Sequence, residues 1–431
     1  MPARSTPGSA RLRSKRAAIL IIIDGLTPST FENAVGDRSA PTLSALADAG
    51  SYRRAVTTFP SLTPVCLTSI ATGAHPDVHH IPHLVWWHRD ERRVVEYGSS
   101  FGAIRAAGTR RSIRDTIVGM NRDHLAKDAE TIYEAGENAG LTVAAVNITC
   151  YRGPHRYVPT VPGFAPATFG PRRFFFYNLY ESDPIGAPLA VRNRGGGSVD
   201  EYAAAAGRWL VTRDGFDLLV YYLSDLDFAS HLHGPEGVRE QLVKTDGSVR
   251  ALVDAAGGLD SFLERYSVLV CSDHGQTNVR DAVRLEEHVH APAIVTASNR
   301  AGMIYTDEPR IAAASLDGVE AVDVVFFVED GAVVALKDGD EDDTILDAYP
   351  LGRERVEAAL RNPNAGEVLV SAAPGWELAD LAGMHHAGGG SHGSLGVGDS
   401  EVPMLGIGIE PPARTVDVKD AMLAGVLSSV P

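Results

Sequence analysis

Tyr266-Ser267-Val268-Leu269-Val270-Cys271-Ser272-Asp273-His274-Gly275 is the stretch on which the fold class turns. A short, almost unbroken apolar run stops abruptly at a polar Ser-Asp-His-Gly. The run is too short for a buried helix and too uniform for a strand with one wet face. It reads as a central strand covered on both faces. The same form recurs at Ala17–Ile23 and at residues 141–148, 216–223 and 404–409. Helical patterns lie between these runs, at Pro41–Ala49, 129–139, 199–211, 237–256 and Val418–Leu427. Strand alternating with helix predicts an α/β fold, a doubly wound and mostly parallel sheet with helices on both faces.

Two regions break this rhythm. Residues 151–197 are rich in Pro, Arg and aromatics, with Arg172-Arg173-Phe174-Phe175-Phe176-Tyr177 at their centre and Arg194-Gly195-Gly196-Gly197 at their end. They read as a long excursion, either over a substrate cleft or as a surface loop whose rings pack on the core. Within residues 296–369, the runs 322–328 and 332–336 flank Glu329-Asp330-Gly331, the signature of a β-hairpin. This segment is expected to be a small inserted α+β subdomain. The acidic run 338–343 is expected to be a solvated loop. The expected organisation is a basic mobile tail over 1–16, a core built from 17–295 and 370–431, and the insertion 296–369.

Composition narrows the function classes. The 431 residues are 44% hydrophobic and 22% charged, an ordinary globular balance with ample chain for a large core. The 39 basic and 55 acidic residues leave a net charge of −16, which disfavours binding a nucleic-acid duplex. Cys66, Cys150 and Cys271 are sparse and odd in number, which suits a reducing compartment rather than a disulfide framework. The apolar run after the basic tail ends at Asp24, too soon for a signal peptide. No stretch reaches the ~20 apolar residues of a membrane span. A cytoplasmic protein with no membrane partner is expected. Histidines cluster at His75, His79, His80, His83 and His88, and again at His385, His386 and His392.

Ligands of an open parallel sheet bind beyond the carboxyl ends of its strands. There the sequence supplies Asp24-Gly25, then Ser224-Asp225-Leu226-Asp227 with His231, then Ser272-Asp273-His274-Gly275. Gly390-Ser391-His392-Gly393 comes shortly before the last strand. Carboxylates and imidazoles gathered on one edge call for a cation. Mixed oxygen and nitrogen donors favour Zn²⁺ or a similar divalent ion, and so many ligands suit two ions rather than one. A hydroxyl candidate is Thr63, in Thr58-Phe59-Pro60-Ser61-Leu62-Thr63-Pro64. Thr63-Pro64 reads as an N-cap followed by Pro at the first helical position, with Gly73 as the terminator. A hydroxyl there sits in the positive potential of a helix N-terminus. The alternative is that Thr63 only caps its helix.

In this order, Asp-Gly, Phe-Pro-Ser-Leu-Thr, Thr72-Gly73, His75-Pro76-Asp77-Val78-His79, Asp227-x-x-x-His231, Ser-Asp-His-Gly and a late Ser-His-Gly resemble the alkaline phosphatase superfamily. Within it they are most similar to the type I phosphodiesterase/nucleotide pyrophosphatase branch. The resemblance covers residues ~17–280 and ~380–410. It implies that Thr63 is a nucleophile that becomes transiently phosphorylated. It implies one metal on Asp24, Asp273, His274 and Thr63, and another on Asp227, His231 and His392. The family spacing prefers Asp227 over Asp225. Cys66 stands at a position the resemblance gives to phosphate contact, and a thiol is a poorer donor than an amide. Trp87 and His88 fall where the resemblance puts substrate-side loops. The implied activity is hydrolysis of a small phosphate ester, a diester first, with a monoester or a phosphonate as alternatives. A binding protein that keeps the metals without turnover is the remaining class.

Overall fold

The computed structural model describes residues 16–161, 163, 165–182, 198–213 and 215–427. All but the last residue of the expected basic tail, and Arg194-Gly195-Gly196-Gly197, lie outside the described residues. The frame is an eight-stranded sheet. Its order is Ser51–Val56, Glu401–Ile407, Tyr266–Cys271, Ala17–Ile23, Leu218–Leu223, Val143–Val146, Arg173–Phe176 and Tyr180–Glu181. The strands from Tyr266–Cys271 through Arg173–Phe176 run parallel.

The uniform apolar runs have a direct cause. Successive side chains of a strand point to opposite faces, and here both faces are covered. Ala18, Leu20 and Ile22 enter one core with helices Thr63–Thr72 and Val418–Leu427. Ile19, Ile21 and Ile23 enter the other with helices Pro41–Ala49, Val199–Thr212 and Arg239–Ala255. This is the doubly wound α/β architecture expected from the sequence.

Two expectations need correction. The run at 404–409 belongs to Glu401–Ile407, which is antiparallel to both neighbours. An apolar run reports burial on both faces and carries no information about direction. Residues 151–197 are not only an excursion either, because Arg173–Phe176 extends the parallel sheet and buries Phe174, Phe175 and Phe176 completely or nearly so.

A second, six-stranded sheet is antiparallel throughout. Its order is Ile294–Ser298, Ala301–Tyr305, Val368–Ala372, Val322–Glu329, Ala332–Lys337 and Asp340–Glu341. The predicted hairpin is present, with Asp330 at φ 50° and Gly331 at φ 79°, as a primed turn demands. Helix Pro309–Leu316 packs on one face and Gly352–Leu360 on the other. The two sheets are pinned together by Arg300. Its guanidinium lies 2.8 and 2.9 Å from the two carboxylate oxygens of Asp399, and both side chains are buried. The same guanidinium donates to Trp376 O and Ala373 O.

Removing one partner of such a pair leaves a buried charge without compensation. Arg300→Leu should lower unfolding stability by about 3–5 kcal/mol. Urea denaturation followed by circular dichroism checks this, and a midpoint unchanged from the parent would show the pair to be dispensable.

Candidate active site

Register places the site. Ile23 stands beside Leu223 and Ile22 beside Cys271, so three parallel strands end together at one sheet edge. The residues that follow must therefore meet. Asp24 Oδ1 lies 3.2 Å from His274 Nε2, and Asp273 Oδ2 lies 3.5 Å from the same nitrogen. Asp227 occupies the first turn of helix Asp225–His233, and His231 follows one turn later on the same face. That spacing puts His231 Nε2 3.3 Å from Asp227 Oδ2. Strand Gly390–Ser391 pairs with Thr277–Val283 and delivers His392, whose Nε2 is 3.8 Å from Asp227 Oδ1. The rings of His274 and His392 stack with centroids 3.6 Å apart. Thr63 Oγ1 lies 3.0 Å from His274 Nε2. The seven residues singled out from the sequence as nucleophile and ligands thus converge.

The donor chemistry is that of a cation site. Each of the three imidazoles spends Nδ1 on a backbone carbonyl: His274 on Gly275 O at 3.0 Å, His392 on Ser61 O at 2.8 Å and His231 on Gly390 O at 2.8 Å. That bond fixes the tautomer and leaves the Nε2 lone pair facing the cluster. Asp24 Oδ1 and Asp273 Oδ2 are buried without a hydrogen-bond donor among the described residues. Two groups of ligand atoms, Asp24/Asp273/His274 and Asp227/His274/His392, each lie within 4.8 Å of one another. These residues fit a pair of divalent ions.

Electrostatics carry the same message. Burial, then the charges of Asp273 and Asp227, hold the Asp24 carboxyl well above its ordinary value. Burial also raises the Asp273 carboxyl. Burial opposes ionisation of Asp227 as well, but the His231 imidazole, which Asp227 in turn raises, holds it below the carboxylate range. Burial and the neighbouring His274 push the His392 imidazole well below its ordinary value, which keeps its lone pair free. Tyr222 donates to Asp24 Oδ2 and Gln276 donates to Asp227 Oδ1, and both bonds orient a carboxylate. Gly25 has φ 66°, and a Cβ there would lie 2.8 Å from Asp227 Oδ1, so the turn after the first strand needs glycine.

Thr63 does not cap its helix. The N-cap is Leu62, which makes no side-chain cap bond, and Thr63 is the first residue of helix Thr63–Thr72. Pro64 follows at the second position, and Gly73 closes the helix at φ 66° as expected. The hydroxyl is left free to face His274. The Asp225 carboxylate is used elsewhere. It accepts from Val199 N and Asp200 N at the start of helix Val199–Thr212, while Asp200 Oδ1 accepts from Ser224 N and Asp225 N. This reciprocal capping fixes the turn that aims Asp227.

A cavity of about 760 Å³ opens from the cluster. Asp24, Thr63, Asp227, His231 and His392 form its floor, and Asn299 and His386 also line it. The three expected substrate-side residues are not in its lining. Cys66 is completely buried, its thiol turned toward Thr58 Oγ1 and Pro60 O, and burial pushes that thiol up to about 12. Trp87 binds Tyr305 OH through its backbone N–H, and His88 stacks on Trp86 with centroids 5.3 Å apart. Periodicity on a short helix and a short hairpin could not show which face these three present.

The model of the type I phosphodiesterase / nucleotide pyrophosphatase family matches residues 18–395. The chain belongs to that family. Its members hydrolyse phosphoryl compounds, the reaction class that the sequence resemblance implied. Among solved structures, phosphonoacetate hydrolase from Sinorhizobium meliloti in complex with phosphonoformate matches with a TM-score of 0.65 at 19% identity, over 96% of each chain. The same enzyme in complex with phosphonoacetate gives a TM-score of 0.64 at 19% identity over the same shares. Murine ectonucleotide pyrophosphatase/phosphodiesterase 5 gives 0.63 at 13% identity, again over 96% of each chain. At these identities the likeness is one of fold. No curated protein sequence matches the chain.

Within the family frame, Gln276, Asn299 and His386 were not singled out as site residues from the sequence. Gln276 lies two residues beyond His274 and could have been flagged by that position. Asn299 Nδ2 is 3.2 Å from His392 Nε2, and Ser298 Oγ donates to its Oδ1 at 2.7 Å. It follows Ile294–Ser298 in the second sheet, so no core motif marks it. The His386 ring stacks on His231 with centroids 4.0 Å apart, and its Nδ1 is held by Glu377 Oε1 at 2.8 Å. The earlier histidine cluster is largely structural. His79 bonds Ser69 Oγ and Ile81 N, and His83 bonds Ala301 O and Val85 N. Among the described residues no helix is long and apolar enough to cross a membrane.

The raised Asp24 carboxyl gives a signed prediction for the protein in chelator. A carboxyl raised on folding contributes stability that is whole below its unfolded value of 3.8 and lost as pH rises through the folded value. Asp24→Asn should therefore be more resistant to urea than the parent at pH 8. The gap should close as pH falls toward 4. A variant less stable than the parent at pH 8 would show that the Tyr222 bond outweighs carboxylate repulsion.

Proposed function

We propose that the chain is a two-metal phosphodiesterase that works through a phospho-threonine on Thr63. The observation that carries this reading is the Thr63 hydroxyl beside His274 Nε2, among lone-pair nitrogens and donor-less buried carboxylate oxygens. Asp24, Asp273, His274 and Thr63 would hold one ion and Asp227, His231 and His392 the other, with Zn²⁺ suited to the mixed donors. Bound there, the pair would stabilise an oxyanion on the nucleophile and negative charge on the phosphoryl oxygens.

The chain's own residues supply the rest. The Thr63 Oγ1–P bond forms as the bond from phosphorus to the departing alcohol oxygen breaks, and the proton given up by Thr63 passes through solvent to that alcohol oxygen. Water then attacks the same phosphorus, the Thr63 Oγ1–P bond breaks, and one proton of that water passes to Thr63 Oγ1. The N-terminus of helix Thr63–Thr72 points positive potential at the phosphoryl group throughout. With His392 Nε2 committed to a ligand, the Asn299 amide is free to donate to a phosphoryl oxygen.

The cavity favours a diester over a phosphonate with a second anionic group. Among the described residues its lining contains no Lys or Arg to meet that second charge. We assign the chemistry to the core 17–295 and 370–431, with the unit 296–369 contributing Asn299 to the pocket wall. The free, buried Cys66, Cys150 and Cys271 support a reducing, cytoplasmic setting.

Elemental analysis should find about two divalent ions per chain, and a strong chelator should abolish hydrolysis. Full activity without metal would overturn this. Bis(p-nitrophenyl) phosphate should be cleaved faster than p-nitrophenyl phosphate or phosphonoacetate, and the reverse order would replace the diester reading.

Thr63→Ala should abolish turnover while metal content and melting temperature stay near the parent's, because Thr63 holds no cap bond. Thr63→Ser should keep part of the rate, since it retains the hydroxyl but loses the methyl that restricts its rotamer. Near-parental turnover in Thr63→Ala would remove the threonine from the mechanism.

A further inference from the structure

The cavity above the cluster differs sharply from its floor. Its walls include Ile117, Met120, Phe176 and Leu179. Ile117 and Met120 come from Asp115–His124, a wide-turned π-helical segment of a kind that often marks functional sites. Methionine adds a side chain that adapts to the shape of what it meets. At the mouth stand Phe101, Phe228 and Leu232, which line the cavity yet are 79%, 62% and 71% exposed. Large apolar side chains held in water around the entrance to a site are a binding surface rather than a packing residue. Among the described residues, the carboxylates and imidazoles of the lining are Asp24, Asp227, His231, His386 and His392, all in or against the cluster.

We propose that the substituent carried on the scissile phosphoryl is uncharged and apolar, an alkyl or aryl chain, and that it lies in this cavity. The inference rests on the phosphodiesterase reading and names its substrate class. The phosphoryl end meets the cluster and Thr63. The remainder meets walls that are mostly carbon, with side-chain hydroxyls such as those of Ser99, Ser100, Thr116 and Thr149 among them. A second phosphate or a carboxylate on the substituent would be taken from water with no Lys or Arg among the described lining residues to receive it, which is strongly unfavourable. A chain of methylenes gains affinity at every carbon buried, by up to roughly four-fold per CH₂.

The test is calorimetric binding of methyl-, butyl- and octylphosphonic acid to the metal-containing protein, so that affinity is read without turnover. Alongside it, the methyl, butyl and octyl esters of p-nitrophenyl phosphate are assayed for p-nitrophenol release. Affinity should rise at least ten-fold from methyl to octyl, and a carboxylate at the chain end should erase the gain. Phe101→Ser and Leu232→Ser, both at exposed positions that leave the core intact, should each shrink the octyl-to-methyl ratio. A flat series, or tighter binding of the carboxylate-ended chain, overturns the inference even if every diester is hydrolysed. A rising series with no diester hydrolysis keeps the inference about the cavity and removes the phosphodiesterase reading instead.

Discussion

Three aspartates meet at the end of a fixed parallel register, and that crowding governs the rest of the structure. Asp24, Asp227 and Asp273 follow strands whose partners cannot slip without moving whole apolar faces out of the core. The carboxylates are therefore brought together by burial elsewhere, not by attraction to one another. At an effective dielectric of about 20, two unit charges 4 Å apart repel by about 4 kcal/mol. Tyr222 and Gln276 relieve part of this by donating to Asp24 and Asp227. Two further oxygens, Asp24 Oδ1 and Asp273 Oδ2, have no donor among the described residues. Positive charge at that edge is what these oxygens lack, and the proposed ions would supply it.

Much of this was legible in the sequence for a physical reason. A strand covered on both faces writes a continuous apolar run, and the run's end marks the sheet edge where ligands gather. That is why Asp24, Asp273 and His274 could be named from strand ends, whereas the choice of Asp227 over Asp225, with His231, came from the family spacing. His392 was harder, because its strand is only Gly390–Ser391 and its motif is short. The family resemblance, rather than periodicity, pointed to it and to Thr63 as nucleophile.

What stayed hidden depended on direction and on contact between distant segments. The direction of Glu401–Ile407 is set by which neighbours it meets, and Ser51–Val56 is mostly exposed, so it writes no apolar run. Arg173–Phe176 sat in a stretch whose Pro and Arg content suggested loop. Cys66 was expected near phosphate, but the short helix Thr63–Thr72 is buried from Pro64 through Thr72, so position on the helix gave no inside and outside to choose between. Asn299 reaches the site only because one sheet is pinned against another.

That pinning makes the second sheet part of the site rather than an appendage. The segment before Thr63 has no regular structure to fix it, so side chains join the backbone bonds from Thr57 N to Ser400 O and from Ser61 N to Gly393 O in holding it. Phe59 packs edge-on to Phe326, with centroids 6.0 Å apart, inside the second sheet's core. Arg355, buried on helix Gly352–Leu360, donates to Ser61 Oγ at 3.1 Å and Thr58 O at 3.3 Å. Burial pushes that guanidinium down to about 10. The backbone N–H of Arg300 donates to His392 O at 2.8 Å, next to the Asn299 that faces the His392 ring. One antiparallel sheet thus sets the approach to the nucleophile from one side and a ligand histidine from the other. A shift of that sheet against the parallel core would move Thr63 and His392 relative to Asp24 and Asp227, which the core holds still.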